Sequence, residues 1–415
     1  MSHVMEPLTV GYDWEMAALK RTGECIGEKE VERLTDELRR RLPWSQPGTD
    51  LELVESRIGC VSSFAELLSK SERFDSELRA ALSKEGWSLL RGGARPFEME
   101  PIGSHIHVGT FGSWRDALRV QNAMAQYVAP LAALMANSPV YRARAGDYKS
   151  YRVASFAEWC STPQQLVAPE FAQPSWGGDV CSKLAWGPTV ELRVGDGAAC
   201  TRFMCEAVAL VAGLMWHVAE NEDDVAPTSE SYLEMMVNRW RAARHGLQAV
   251  FTRDGEEVPA DALLTSMVGL AEDGIRLLGI GTRDLRVVRS MISKRQTQAD
   301  FQLAVFEAER RDPYRLTRAL ANVQRDPRAF EKYLRRAAEL PAVSPGDPTE
   351  DLMASIGRET PYPALLRATP LPPAELDRAL RRMVERGLLS ETRSPMGTRL
   401  YTRAGPWPAE GAASG

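Results

Sequence analysis

The sequence predicts an α+β chain in which one sheet carries the functional groups and helices back it. Three segments, 9–19, 103–109 and 189–194, place polar side chains at i and i+2 between strand-forming residues. Between them run stretches whose apolar residues recur at helical spacing. Near the end, a proline-rich span precedes a segment of different charge and pattern, which predicts a second, smaller domain.

The first strand, Thr-Val-Gly-Tyr-Asp-Trp-Glu-Met-Ala-Ala-Leu, turns Asp13 and Glu15 to one face and Tyr12, Trp14 and Met16 to the other. A helix over 28–42 follows from the stripe of Val31, Leu34 and Leu38, closed by Pro43. A second strand over 50–58 carries Glu52 and Glu55, an odd number of residues apart, so only one of them joins the face of the site. Residues 62–86 read as a helix and 87–90 as a strand that breaks at Gly92-Gly93. His105 and His107 share a face of the next strand, one as a ligand and the other as a hydrogen-bonded core histidine. Ser113 caps a long helix through Ala136, and a loop of four cationic and three phenolic side chains (141–152) comes after it. Glu191 and Arg193 share a face of the strand that precedes a helix over 201–220. Further helices, one holding Asn238, Arg241, Arg244 and His245, run to about Arg336.

The span 340–348 reads as a linker, and 372–387 as an amphipathic helix with Gly387 as its cap. Segments 388–393 and 399–403 flank Ser-Pro-Met-Gly as a β-hairpin, so 349–405 resembles a winged helix. The expected organisation is a catalytic domain at 1–340, a linker at 341–348, the winged-helix-like domain at 349–405 and a flexible tail at 406–415.

The 415 residues are 44% apolar and carry a net charge of −5, which argues against general attraction to nucleic acid or to an anionic membrane. The start lacks the pattern of a signal or transit peptide, and the apolar run 203–218, interrupted by Glu206 and His217, reads as a buried helix. Six cysteines without a C-x-x-C pair predict reduced thiols, no structural zinc and a cytoplasmic location.

Asp13, Glu15, one of Glu52 or Glu55, His105, Glu191 and Arg193 form an oxygen-rich set with a single ligating imidazole. Such a set suits Mg²⁺ or Mn²⁺ better than zinc. Carboxylates beside a strand arginine point to polyphosphate chemistry, with Arg193 offsetting charge on a transferred phosphoryl group. Neither a Walker sequence nor a G-x-G-x-x-G after a strand is present.

The ordered motifs TVGYDWEM, GSHIHVG, NSPVYRARAGDYKSYR, TVELRVGDGAA, NRWRAARHGL and QTQADFQ resemble the type-two glutamate-cysteine ligase family, the carboxylate-amine ligases, over roughly residues 8–310. The resemblance implies a glutamine-synthetase-like fold, a curved antiparallel sheet backed by helices. It also implies ATP-dependent amide formation through an acyl phosphate, with Mg²⁺. By the same resemblance Asp13, Glu15, Glu55, His105 and Glu191 are metal positions, with Glu55 the weaker match. Arg193 acts with Glu191 in catalysis, and Tyr148, Ser150, Arg152, Asn238 and Arg244 contact nucleotide or substrate.

Three departures from the family pattern stand out: Asp13 replaces its usual Glu, Lys183 stands in for a usual arginine, and Gln298 takes a glycine position. They cluster where substrate would sit, which leaves the carboxylate and amine open, as free amino acids or as a peptide or protein recruited by the C-terminal domain. A homodimer is also left open. A second functional reading is an inactive ligase-like scaffold that binds peptide or nucleic acid through the winged helix. The retained Asp13, Glu15, His105, Glu191 and Arg193 favour the enzyme.

Overall fold

The chain divides into two compact units, Met1–Ser344 and Pro345–Gly415. The computed structural model describes residues 8–95, 101–109, 111–141, 144–145, 148–155, 178–183, 188–221 and 229–323 of the first, and 360–361, 365, 373–385, 389–393 and 399–403 of the second. The expected linker 341–348, the tail 406–415 and the helix expected to reach Arg336 beyond Val323 lie outside the described residues.

In chain order the first unit begins β1 (Thr9–Leu19), α1 (Glu28–Arg41), β2 (Gly48–Asp50), β3 (Leu53–Arg57), α2 (Phe64–Glu85), β4 (Ser88–Leu90) and β5 (Gly103–Gly109). It continues α3 (Trp114–Met124), α4 (Val128–Leu134), β6 (Val140–Tyr141), β7 (Arg144–Ala145), α5 (Tyr151–Ser155), β8 (Val180–Lys183), β9 (Thr189–Asp196), α6 (Thr201–Glu220) and α7 (Ser229–His245). The hairpin β10 (Val250–Arg253) and β11 (Glu256–Pro259) leads to α8 (Ala260–Leu270), α9 (Glu272–Leu277), α10 (Arg286–Lys294), α11 (Gln298–Ala308) and α12 (Pro313–Val323).

Seven strands form one sheet in the order β2-β3-β1-β5-β9-β8, with β4 also paired to β1. All of its pairings are antiparallel, and the sheet curls as the sequence resemblance implies. Alternation on the central strands separates two faces. Tyr12, Trp14, Met16, Ile106, Val108, Val190 and Leu192 are buried in one core cluster together with the apolar faces of α2, α3, α4 and α6. Each such side chain contributes about 1.5–3 kcal/mol when fully buried. The opposite face carries Asp13, Glu15, His105, His107 and Glu191. Along β1 it grades into a smaller apolar cluster with Ala17, Leu19, Leu53, Leu90, Ile102, Phe301 and Phe306.

Two sequence expectations are corrected. The single strand over 50–58 is two short strands, because Leu51 takes a positive φ of 50° between β2 and β3. The long helix to Ala136 is interrupted by a 3₁₀ turn at Ala125–Tyr127. Pro130 then falls in the first turn of α4, where its missing N–H costs no helical bond. α6 is apolar and long enough to cross a membrane by composition, but 83% of its window is buried inside the unit, as in a core helix. Among the described residues, Cys25, Cys60, Cys181, Cys200 and Cys205 form no disulfide with one another.

The second unit contains β12 (Thr360–Pro361), α13 (Pro373–Glu385), β13 (Leu389–Arg393) and β14 (Arg399–Arg403), with strand order β12-β14-β13. Leu376, Leu380, Met383, Leu389 and Tyr401 are buried, whereas Arg378, Arg381 and Arg382 face solvent.

Candidate active site

Sheet register brings the polar groups together. Asp13 lies opposite Arg57 on one side and His105 on the other, Glu15 opposite Glu55, and His107 opposite Glu191. β9 carries one extra residue opposite His105, a bulge at Arg193 and Val194 of the kind that re-aims side chains beside functional sites.

Two clusters result. In the first, ligand atoms of Glu15, Glu55 and His105 lie within 4.8 Å of one another, and all three residues are buried. Glu15 Oε2 accepts the Gly103 N–H at 2.5 Å. Glu55 is paired with Arg57, whose Nε is 3.7 Å from Asp13 Oδ1. Burial, and then the nearby Asp13 charge, push the Glu55 carboxyl up to about 7 despite Arg57. Burial also raises Glu15, against the pull of Arg152 and the Gly103 bond.

The second cluster centres on Glu191. Lys183 Nζ stands 2.8 Å from its Oε2 and Arg193 Nη1 3.0 Å from its Oε1, with His105 Nδ1 at 3.5 Å and His107 Nε2 at 3.7 Å. Burial alone would raise this carboxyl, but His105, His107, Arg193 and Lys183 together bring it down to about 2. His107 Nε2 is also 3.2 Å from Asp13 Oδ2, and this hydrogen bond with the Glu191 and Asp13 charges raises His107 against the opposing effect of burial.

Arg152 joins the clusters. Its guanidinium donates to Val194 O at 3.3 Å and Arg193 O at 3.1 Å and lies 3.5 Å from His105 Nε2. Arginine only donates, so His105 Nε2 is the accepting nitrogen and Nδ1–H points to Glu191. Burial, with Arg193 and Arg152, holds His105 well below the usual imidazole range, which makes it neutral. Its Nε2, the nitrogen that Arg152 also approaches, stands 3.8 Å from Glu15 Oε1. Two acceptors face each other in a buried spot, with a second carboxylate beside them. That donor set of carboxylate oxygens and one neutral imidazole fits a hard divalent cation. Glycine is required at 103, since a Cβ there would come within 2.7 Å of both Arg152 Nη2 and His105 Nε2.

The remaining expected residues fall as follows. Glu55 faces the site, while Glu52 pairs with Arg95 at 3.1 Å and its side chain is 44% exposed. Asp13 stands beside the three-residue cluster, with its oxygens near Arg57 and His107. Ser150 Oγ donates to Asp196 at 2.9 Å, and Tyr148 packs edge-on against Tyr151, so both shape the loop. Asn238 braces the hairpin that follows its helix: its amide donates to Thr252 O at 2.5 Å and accepts the Thr252 N–H at 2.8 Å. Arg244 lies over the Trp240 ring, 5.4 Å from its centroid.

Several participants escaped the sequence reading. Arg57 sits two residues after Glu55, so the i, i+2 rule that selected the other strands would have found it. Asp196, fully buried, accepts from Asn137 N, Ser138 Oγ and Ser150 Oγ at 2.6–2.9 Å and so ties down the loop that delivers Arg152. Arg239 grips both oxygens of Asp179 at 2.6 and 2.9 Å, and Asp179 O accepts the Arg193 N–H at 2.7 Å.

A family model described as glutamate-cysteine ligase family 2 matches residues 98–178 and 185–283. A relative from Acidovorax sp. (strain JS42), under the provisional name glutamate–cysteine ligase 2, is 26% identical over 308 residues, covering 62% of this chain and 80% of that one. One from Rubrobacter xylanophilus, provisionally glutamate–cysteine ligase 2-1, is 28% identical over 65% of this chain and 74% of its own. Among solved structures, the glutamate–cysteine ligase of Francisella tularensis in complex with AMP superposes with a TM-score of 0.53 at 10% identity, over 80% of this chain and 92% of that one. At that identity the likeness speaks to the fold.

Proposed function

We propose, for a chain similar to glutamate-cysteine ligase family 2, that this sheet face performs ATP-dependent ligation of a carboxylate to an amine. The observation that carries the reading is the buried meeting of Glu15, Glu55 and His105 beside Arg193, Lys183 and Arg152. Glu15, Glu55 and His105 would hold a divalent cation, Mg²⁺ or Mn²⁺, which when bound supplies charge neutralisation for nucleotide phosphates. Glu191 keeps His105 in its ligating tautomer and holds Lys183 and Arg193 at the site. Those two cations supply the fixed positive charge that phosphoryl transfer requires.

In this reading a substrate carboxylate oxygen attacks the γ-phosphorus of ATP, ADP departs, and the amine then attacks the acyl phosphate and expels phosphate. No side-chain nucleophile is involved. The test supplies ATP, Mg²⁺ and pools of amino acids or peptides and identifies the pool that releases ADP and phosphate. With the substrate so found, oxygen-18 in its carboxylate is expected in the released phosphate. Label in AMP would mean adenylation and overturn the mechanism.

The proposal extends to a cytoplasmic protein whose segment 349–405 is a winged-helix-like module that recruits a partner. Support comes from eight arginines against four acidic residues over 361–405 and from the solvent-facing Arg378, Arg381 and Arg382. A tethered module of this kind raises the local concentration of its ligand, often to about millimolar. Deleting everything after Pro348 is expected to spare turnover of a small amine while weakening use of the natural partner. Loss of small-substrate turnover in a folded truncation would show that the module belongs to the active site.

A further inference from the structure

We infer that Arg57 is an internal cation that competes with a divalent metal ion for the Glu55 and Asp13 carboxylates, and so sets how tightly the site holds metal. The inference rests on the proposed metal position at Glu15, Glu55 and His105.

Four observations support it. Arg57 lies directly opposite Asp13 in the β1–β3 register and on the same face as Glu55, two residues before it. Its guanidinium is paired with Glu55 Oε2 and approaches Asp13 Oδ1 at 3.7 Å, so one side chain serves two carboxylates. Space for it is built into the edge strand: Gly48 is opposite Glu55, and a Cβ at that position would overlap the Glu55 carboxylate and the Arg57 guanidinium. Exposure also separates Arg57 from its neighbours. Its side chain is 46% exposed, against 21% for Lys183 and 12% for Arg193.

A long, half-hydrated side chain can leave a carboxylate at small cost, because water already solvates much of it. Without metal, Arg57 offsets the repulsion between Glu55 and Asp13. With metal, a second cation beside the same carboxylate is repelled whichever oxygen each one holds. Lys183 and Arg193, by contrast, are bound to Glu191, outside the three-ligand group, and have no comparable exit to water. Arg152 also lies beside the group, against His105 Nε2, but it is buried and fixed by backbone carbonyls, so Arg57 is the cation at these ligands that has water to move into when metal binds.

The test is a Mn²⁺ titration of the full chain without nucleotide, following free Mn²⁺ by electron paramagnetic resonance. Arg57→Ala and Arg57→Gln are expected to tighten Mn²⁺ binding about tenfold, within the range usual for coupled sites. Arg57→Lys, which keeps the charge, should stay within about threefold of the native protein. Glu55→Gln should weaken binding more than about tenfold. Thermal unfolding without metal should occur at lower temperature for Arg57→Ala, with a larger gain on adding Mn²⁺. If both neutral variants bind Mn²⁺ as the native protein does or more weakly, while Glu55→Gln still impairs binding, Arg57 positions Glu55 and the competition is wrong. If Glu55→Gln binds normally, or no variant binds, the metal reading itself fails and takes the inference with it.

Discussion

Glu191→Gln is expected to reduce ligation about 10²–10³-fold, or about 3–4 kcal/mol of transition-state stabilisation, in a protein that still folds. The glutamine keeps the shape but loses the charge that gathers Lys183, Arg193, His105 and His107 around one carboxylate. Lys183, Arg193 and His107 then lose their shared counter-charge, and the His105 tautomer is no longer enforced. Stability should show a defined pH signature. The native carboxyl is lowered from 4.5 to about 2, so its contribution is full above the unfolded value and disappears as pH falls through about 2. The stability gap between native protein and variant should therefore narrow in acid over that window, as denaturant titrations at several pH values would reveal. Near-native turnover, or a gap independent of pH, would show that Glu191 is not the charge centre of the site.

Arg239→Met should destabilise the first unit by about 3–5 kcal/mol, because it strands Asp179 as an unpaired charge that is 1% exposed. The damage reaches the site through the backbone. Asp179 O holds the Arg193 N–H, and Arg239 also donates to Val153 O in α5, the helix that carries Arg152. Calorimetry should record the loss of stability, and activity at low temperature should fall with it. Replacing both partners, Arg239→Met with Asp179→Leu, should recover much of the stability while leaving Arg193 less well held. A double variant no more stable than the single one would mean that the pair itself, and not the stranded charge, carries the effect.

Legibility of this site in the sequence follows its periodicity. Asp13, Glu15, His105, Glu191 and Arg193 announce themselves because a period of two puts each pair on one face, and strand register then does the rest. Glu55 was separable from Glu52 only in part, since the parity rule says that one of them joins and not which. The choice was made by Leu51, whose left-handed backbone ends β2 and starts β3. Asp196 and Arg239 left no such trace. Their partners come from residues about 46 to 86 positions away, and nothing local marks a buried carboxylate that will be met by Asn137, Ser138 and Ser150. Asn238 shows the converse: its place in a motif points to a ligand contact, and nothing local announces the two hydrogen bonds its amide makes to Thr252 in the hairpin that follows.

The tie between Lys149 and Asp300 joins residues 151 apart in the sequence, and the Gln298 side chain likewise reaches back to the Ala199 N–H. On the ribosome, chain emerges at about 5–20 residues per second, so β1, β3 and β5 are available to pair well before α11 exists. The loop that leads to Arg152 can be held by Asp196 before then, but its Lys149 tie waits for α11. Contacts of this span also slow the search for the native state, because the closure entropy is lost before the contact can compensate. The nascent sheet therefore waits for these two ties, and a newly made chain completes the support of its charged face only after α11 has folded back.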